Sequence, residues 1–318
     1  MVKKLLPIIL LSGVFFLVGI LVGHYKPTAI QVPYLFLKER LINDSANVYA
    51  DSVRRLNERS QPGSCSRQGN SYSFFVAGHV YGTPGSEYEG IYKPFKNNKK
   101  LNECSLLFGF LLGDTVVTAS NYEFGILKDD LKSFEDNTKI YIAPGNHEVG
   151  VGSYNAKRDV YLENFGERTY QYLEYKNDLF IILDTNISNW NLSKDQVLML
   201  KNLQSKQRKY ENVFIFSHQL FWIGEENPSF LGLIPNSNEG RAKKLNFWKE
   251  VFPITQSIGK NLFFFAGDVG AFNNKSEFFY RNISEVEFFA TGMGGGKRDN
   301  FMLVHIENEE VNIELVEF

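Results

Sequence analysis

Three of the five histidines in this 318-residue chain stand just after apolar runs, where buried strands would end. They are His79, His147 and His218. Asp114 and Asp268 follow two further runs of the same kind. Because α/β sheets keep their binding sites at the carboxyl ends of the strands, we expect these side chains to lie close together. Imidazole and carboxylate groups suit Zn, Mn or Fe, so the pattern predicts a metal centre.

One of these strand ends carries three hydrogen-bonding side chains in succession. The run 139–143 stops at Pro144-Gly145, and Asn146, His147 and Glu148 follow directly. If they were buried merely to fill space, each of the three would need its own polar partner. A metal ligand beside a proton donor explains the trio better than packing does.

The order and spacing of these motifs resemble the calcineurin-like metallophosphoesterases, whose usual series is D-x-H, G-D, G-N-H-[DE], a strand-terminal His and G-H-x-H. The matching residues are Gly113-Asp114, Gly145-Asn146-His147-Glu148 and His218. The resemblance extends from about Ser73 to the C-terminus. It implies an α/β fold in which two mixed β-sheets are sandwiched between helices, and a centre that holds one or two divalent ions (Mn, Fe or Zn).

The sequence departs from the family in both motifs that frame the site. It has His79-Val80-Tyr81 in place of D-x-H, and Gly267-Asp268-Val269-Gly270 in place of G-H-x-H. One metal of the family pair therefore keeps four ligands in this chain, namely Asp114, Asn146, His218 and Asp268. The other would keep His79 and Asp114, with Tyr81 as a further ligand only if its phenol, whose reference pKa is about 10, ionised. Packing or contact with the substrate is the favoured role of Tyr81. We expect one well-formed metal site and a second that is weak, differently liganded or absent.

The resemblance also assigns the proton donor and suggests contacts with the substrate. His147 takes the position of the acid that protonates the leaving oxygen, and Glu148 is a candidate for orienting it or for contacting metal or substrate. Weaker candidates for binding the substrate stand in two of the loops expected to face it, namely Trp222, Lys297 and Arg298.

The N-terminus has a different character from the rest of the chain. Residues 1–4 contain Lys3 and Lys4, and Leu5 to Gly23 carries no charge. A helix of that length approaches the roughly 30 Å of a bilayer core, and the lysines before it favour a cytoplasmic N-terminus. We therefore expect a single-pass signal anchor at 5–23, and a cleaved signal peptide is the alternative. A partly helical stalk (24–70) and an extracytoplasmic phosphoesterase domain (71–318) would follow.

Composition narrows the partners. The formal net charge of −2 and the scattered basic residues give no footprint for nucleic acid. Cys65 and Cys104 flank the first motif, and they either form a disulfide in an oxidising compartment or remain two thiols. The oligomeric state is not indicated by the sequence.

Smaller patterns predict individual elements. Ser193 and Gln196 form a capping box that opens a helix reaching about Gln204. The runs 301–306 and 311–316 predict a closing hairpin, in which His305 is expected to be an exposed strand residue.

Three functions fit these observations. The leading hypothesis is a membrane-anchored, exported metal-dependent phosphoesterase that hydrolyses a phosphorylated small molecule or a cell-envelope phosphate ester. The altered motifs keep open a catalytically impaired relative that binds a ligand in envelope polysaccharide assembly. They also keep open a metal hydrolase that acts on a bond other than a phosphate ester.

Overall fold

The apolar runs form strands, which the described part of the chain arranges in two mixed sheets. The computed structural model describes residues 46–60, 63, 65, 69–81, 89–135, 138–166, 168–206, 209–224, 227–272 and 275–318. In chain order the strands are β1 (Tyr72–Ala77), β2 (Phe108–Leu111), β3 (Lys139–Ile142), β4 (Gln171–Tyr175), β5 (Asp178–Ile182), β6 (Tyr210–Ser217), β7 (Gly259–Ala266), β8 (Phe278–Ile283), β9 (Val286–Thr291), β10 (Asn300–Glu307) and β11 (Glu310–Glu317).

Each sheet combines parallel and antiparallel strands. The first sheet has the order β11-β10-β1-β2-β3, in which β1, β2 and β3 are parallel and β10 and β11 form the predicted antiparallel hairpin. The second has the order β4-β5-β6-β7-β9-β8, in which β5, β6, β7 and β9 are parallel. The predicted crossover from β5 to β6 and the predicted pair of mixed sheets are confirmed.

An aromatic layer joins the two sheets. Along β1, Phe74 and Val76 point into the layer between the sheets, whereas Phe75 and Ala77 belong to the core on the outer face. Phe110 of β2 stacks on Phe216 of β6 across the layer, with ring centroids 4.0 Å apart. Strands buried on both faces need apolar residues at every position, which is why the runs lack a polar alternation.

Helices cover both outer faces. In chain order they are α1 (46–59), α2 (Lys93–Lys96), α3 (Lys99–Glu103), α4 (Asn121–Glu135), α5 (Asn146–Val149), α6 (Ala156–Phe165), α7 (Lys194–Ser205) and α8 (Phe252–Thr255). Helix α7 begins at the predicted cap, where the Ser193 side chain accepts a hydrogen bond from the Gln196 amide. Its apolar face packs on the second sheet, and α4 and α6 pack on the first.

Helix α1 lies within the segment that the sequence assigned to a stalk, and it packs against the sheets. Tyr49 and Leu56 are buried in the layer between the sheets. At the end of the helix, Arg59 Nε donates to Glu287 of β9 over 2.7 Å. The compact unit accordingly runs from Ser45 to Phe318.

The expected signal anchor, Leu5 to Gly23, lies outside the described residues. Within the part that is described, none of the helices combines the length and the apolar character needed to cross a bilayer.

Two local expectations have different outcomes. Cys65 and Cys104 form a disulfide, which links the chain before β1 to the end of α3. His305 was expected to be exposed, but only 1% of its surface is accessible. The chain at Gly63 lies against the imidazole, since a Cβ on Gly63 would be 2.6 Å from His305 Cβ, and His305 Nδ1 pairs with Ser73 Oγ over 2.9 Å.

Candidate metal centre

The loops that leave β1 and β2 hold their first polar residues in an unusual backbone conformation. His79 has a φ of 54° and Asp114 a φ of 50°, so both lie in the left-handed region that side chains other than glycine rarely adopt. Such conformations cost of order 1–3 kcal/mol each and cluster at functional sites. The two strands are parallel neighbours, and the His79 amide donates to the Gly113 carbonyl over 3.1 Å. The strained residues therefore stand side by side.

Gly113 permits three loops to meet at this point. Its φ of 73° is left-handed, and a Cβ there would lie 2.5 Å from the amide nitrogen of Gly145 and 2.6 Å from Nδ1 of His218. No larger residue fits without moving one of these loops. The glycine before Asp114 thus brings the ends of β2, β3 and β6 into contact.

Four of the predicted ligands converge where these strands end. His218 Nε2 lies 3.2 Å from Asn146 Oδ1 and 3.4 Å from Asp114 Oδ1. The same nitrogen lies 3.9 Å from Asp268 Oδ1. Ligand atoms of Asp114, His218 and Asp268 all fall within 4.8 Å of one another. The two sheets contribute equally, since β2 and β3 supply Asp114 and Asn146 while β6 and β7 supply His218 and Asp268.

The main chain sets the tautomer of His218. Its Nδ1 lies 2.8 Å from the carbonyl oxygen of Leu112, and a carbonyl can only accept, so Nδ1 carries the proton. The other nitrogen, Nε2, faces Asp114, Asn146 and Asp268, and its lone pair is available to a cation when the ring is neutral. This is the arrangement in which a histidine serves as a metal ligand.

Buried charges at the centre oppose one another. Burial raises the pKa of the Asp268 carboxyl to about 8, with the nearby Asp114 adding to the rise. Burial alone would also raise the pKa of Asp114, but the imidazoles of His218, His147 and His79 hold it below its usual value. Burial likewise disfavours charged His218, yet Asp114 and Asp268 raise the pKa of this imidazole. Both carboxyl groups can be ionised together at neutral pH only with a further positive charge beside them.

The donor set fits a divalent cation. Asp268 Oδ2 is buried and has no hydrogen-bond partner among the described residues, which is costly for a carboxylate unless a cation balances it. One imidazole, two carboxylates and an amide oxygen match the preferences of Mn, Fe or Zn. The residues predicted for the better-preserved site are therefore suitably placed to hold an ion.

The centre opens to solvent on the side of the loop after β3. Asn146 and His147 are partly exposed, whereas the three other ligands are buried. His147 Nδ1 lies 2.5 Å from the carbonyl oxygen of Val117, so this nitrogen donates and Nε2 is the one available for proton transfer. A substrate would therefore approach over Asn146 and His147.

Glu148 does not orient His147, contrary to one of its suggested roles. Its carboxylate is fully buried and faces the loop after β2, where it accepts hydrogen bonds from the amides of Asp114, Thr115 and Val116 over 2.7–3.0 Å. It also accepts from the Gly145 amide over 2.7 Å. The carboxylate is thus occupied in joining two loops, and Val117 positions the imidazole instead.

The residues predicted for the other metal lie beside the centre but do not form an equivalent site. His79 Nε2 is 3.7 Å from Asp114 Oδ2, and burial lowers the pKa of this imidazole to about 4, which keeps it neutral. The ring of Tyr81 packs against it with centroids 4.5 Å apart. Burial raises the pKa of the Tyr81 phenol, which disfavours the phenolate that a metal would need.

Two of the three weaker candidates for substrate binding contact other parts of the protein. Trp222 is fully buried and packs against Phe264 and Phe288 in the core outside the second sheet, so it contacts no substrate. Arg298 pairs with Glu277 over 3.1 Å and lies over the Tyr49 ring. Lys297 is exposed.

Sequence reasoning missed a buried polar network behind the ligands. Asn186, at the end of β5, donates through Nδ2 to the Pro144 carbonyl over 2.8 Å and accepts from the Gln219 amide group. The Asp184 carboxylate accepts a hydrogen bond from the main-chain amide of Asn186 over 2.9 Å. Asn186 therefore connects the loop that carries Asn146 and His147 to the residue that follows His218. A polar triplet after an apolar strand was the available signal.

A solved structure shares this fold. Purple acid phosphatase PPD1 from yellow lupin (Lupinus luteus) superposes with a TM-score of 0.54 at 12% identity, covering 80% of this chain and 52% of that one. The chain thus spans about half the length of the lupin enzyme. Weaker matches are the Thermotoga maritima protein TM1076 (TM-score 0.38, 10% identity, 77% and 99% coverage) and Chaetomium thermophilum Vps29 (TM-score 0.32, 11% identity, 77% and 95% coverage). The sequence itself matches no known family profile and no curated protein.

Proposed function

We propose that this protein is a metal-dependent phosphoesterase of the calcineurin-like kind. The observation that carries the proposal is the convergence of Asp114, His218 and Asp268 at the shared edge of two sheets, with Asn146 beside them. The lupin phosphatase, whose fold this chain shares, is consistent with that chemistry. The proposed substrate is a phosphate ester, either a phosphorylated small molecule or a component of the cell envelope.

The residues of the site would have two roles in hydrolysis, namely binding the cation and transferring a proton. Asp114, Asn146, His218 and Asp268 would hold the cation. A divalent ion bound there would supply Lewis-acid activation of water and of a phosphoryl oxygen. Leu112 keeps His218 in the tautomer that this role needs. Burial of the three inner ligands excludes bulk water from their side of the site.

His147 is the proposed general acid. Water gives up one proton to solvent and attacks phosphorus as hydroxide, and the bond from phosphorus to the leaving oxygen breaks. That oxygen takes a proton from His147 Nε2, and solvent returns a proton to the imidazole afterwards. The Val117 carbonyl keeps Nδ1 protonated, so Nε2 is the nitrogen that changes its protonation state. The partial exposure of His147 suits a group that must meet a substrate from solvent.

We also propose that the domain is exported and held at the membrane by the segment Leu5 to Gly23. The lack of charge in this segment and the lysines before it support the proposal. The disulfide between Cys65 and Cys104 is consistent with an oxidising compartment.

Replacing the central carboxylate tests the proposed reaction. In the full-length chain with Mn²⁺, we expect Asp114→Asn to lower hydrolysis of an aryl phosphate by more than about 100-fold, because even residues that only support metal ligands contribute 10–100-fold. The matched control is Asp129→Asn on α4, an exposed aspartate paired only with nearby Lys132. Steady-state rates, with circular dichroism to verify folding, make the measurement.

The outcomes separate the three hypotheses. Turnover that survives Asp114→Asn would contradict the proposed mechanism. A wild-type protein that binds metal but cleaves no phosphate ester would favour the ligand-binding relative in envelope polysaccharide assembly. Metal-dependent cleavage of other bonds alone would favour a different hydrolase.

A further inference from the structure

The resemblance implies a second cation beside Asp114, and the residues around that position do not suit one. Building on the proposed function, we propose that the centre holds a single divalent cation and that the Tyr81 ring closes the space of the second. Three features of the site support this proposal: the backbone around Gly270, the small number of converging ligands and the packing of Tyr81.

The backbone at Gly270 leaves no room for the imidazole that the family motif places there. Gly270 has a φ of 88°, and a Cβ would lie 2.6 Å from the carbonyl carbon of Gly292 and 2.9 Å from the amide nitrogen of Met293. These are main-chain atoms of the loop after β9, which cannot rotate away as a side chain would. The packing of these two loops therefore excludes a histidine at position 270.

Too few ligands remain on this side. Among the described residues, the acidic, histidine and cysteine groups near Asp114 that converge are Asp114, His218 and Asp268, and His79 is not among them. His79 approaches Asp114 alone, at 3.7 Å. Two such ligands fall short of the three that protein metal sites commonly supply even when they leave a position for water.

Tyr81 behaves as a packed ring at this position. It is 2% exposed, and its ring lies 4.5 Å from the ring of His79 and 5.3 Å from that of His147. Its amide donates to the Asp114 carbonyl over 3.3 Å, which fixes the backbone that carries the ring. The Tyr81 ring therefore packs against both His79 and His147.

Phenylalanine separates a packing role from a ligand role. If the ring is the active feature, Tyr81→Phe keeps the same shape and the same number of bound ions. If the phenolate were a ligand, the variant would lose a cation. Tyr154→Phe is the matched control, since Tyr154 is 97% exposed.

The experiment counts ions in the full-length chain. After metal removal, wild type, Tyr81→Phe and Tyr154→Phe are dialysed against Mn²⁺, and bound metal is measured by elemental analysis and electron paramagnetic resonance. We expect one Mn²⁺ per chain in all three, with the hyperfine pattern of an isolated ion. As a further check, Asp268→Asn is expected to lose most of the bound Mn²⁺.

Different results would overturn different claims. Two ions per chain with a spin-coupled spectrum would overturn the single-ion centre and leave the proposed phosphoesterase intact. A loss of bound ion in Tyr81→Phe would make Tyr81 a ligand and also overturn the inference. Absence of bound Mn²⁺ in the wild type would overturn both this inference and the proposed metal-dependent function.

Discussion

A buried carboxylate that accepts several main-chain hydrogen bonds has little capacity for other partners. Glu148 is in this position, because each of its oxygens accepts from two amides of the neighbouring loops. One of those amides belongs to Asp114, whose left-handed conformation directs its own carboxylate toward His218. Glu148 thus stabilises the strained loop that presents the central ligand.

Glu148→Gln is expected to destabilise the protein strongly. In glutamine, an NH₂ donor replaces one of the two oxygens that accept from main-chain amides, so donor would face donor. Leaving a buried polar group without its hydrogen bond costs about 1–3 kcal/mol, and more for a charged group. We expect a loss of about 2–4 kcal/mol in the free energy of unfolding, measured by urea denaturation. Glu163→Gln, exposed on α6, is the control and should match wild type. Unchanged stability together with a shifted pH–rate profile would instead restore the role of orienting His147.

The ligands were predictable from the sequence, but their neighbours were not. Asp114, Asn146, His218 and Asp268 each follow an apolar run, and parallel strands bring such positions together. The amides that bond to Glu148 are placed by the turn at Gly113. The hydrogen-bond partner of His147 is the carbonyl of Val117, thirty residues earlier in the chain. Such contacts arise from loop conformations that residue types alone do not specify.

Strand β5 supports the site without supplying a predicted ligand. It lies between β4 and β6 in the second sheet, yet Asn186 at its end bonds to Pro144 after β3 of the first sheet. Gln219, which follows β6, bonds to the same asparagine. The metal ligands come from both sheets, so their spacing depends on contacts of this kind between the sheet ends.

Asn186→Ala is expected to weaken metal binding more than it weakens the fold. Without the amide, the loop bearing Asn146 loses its link to the second sheet, and supporting residues of metal sites contribute about 10–100-fold in affinity. Titration of the metal-free protein with Mn²⁺ well below its unfolding temperature measures this. Asn202→Ala on the exposed side of α7 is the control. A lower unfolding temperature with unchanged Mn²⁺ affinity would show that the asparagine serves stability alone.

The two-sheet sandwich followed from the hydrophobic pattern, whereas the extent of the folded unit did not. Runs such as 74–77 and 213–216 are apolar at every position, which predicts strands covered on both faces. Helix α1 precedes the first such run and is separated from it by a polar stretch, so the sequence favoured a detached stalk. Its packing depends on contacts with strands more than 200 residues away, such as Arg59 with Glu287.

Leu56→Ala tests whether α1 is part of the domain. Leu56 is 2% exposed within the layer between the sheets, and removing a buried leucine side chain costs about 2–5 kcal/mol. We expect a loss of that size in the free energy of unfolding of the full-length chain. Leu198→Ala on α7 is the matched control, because Leu198 is 56% exposed and should lose little. If both variants were as stable as wild type, α1 would be a dispensable stalk. A selective loss in Leu56→Ala would show that α1 belongs to the folded domain and is not a stalk.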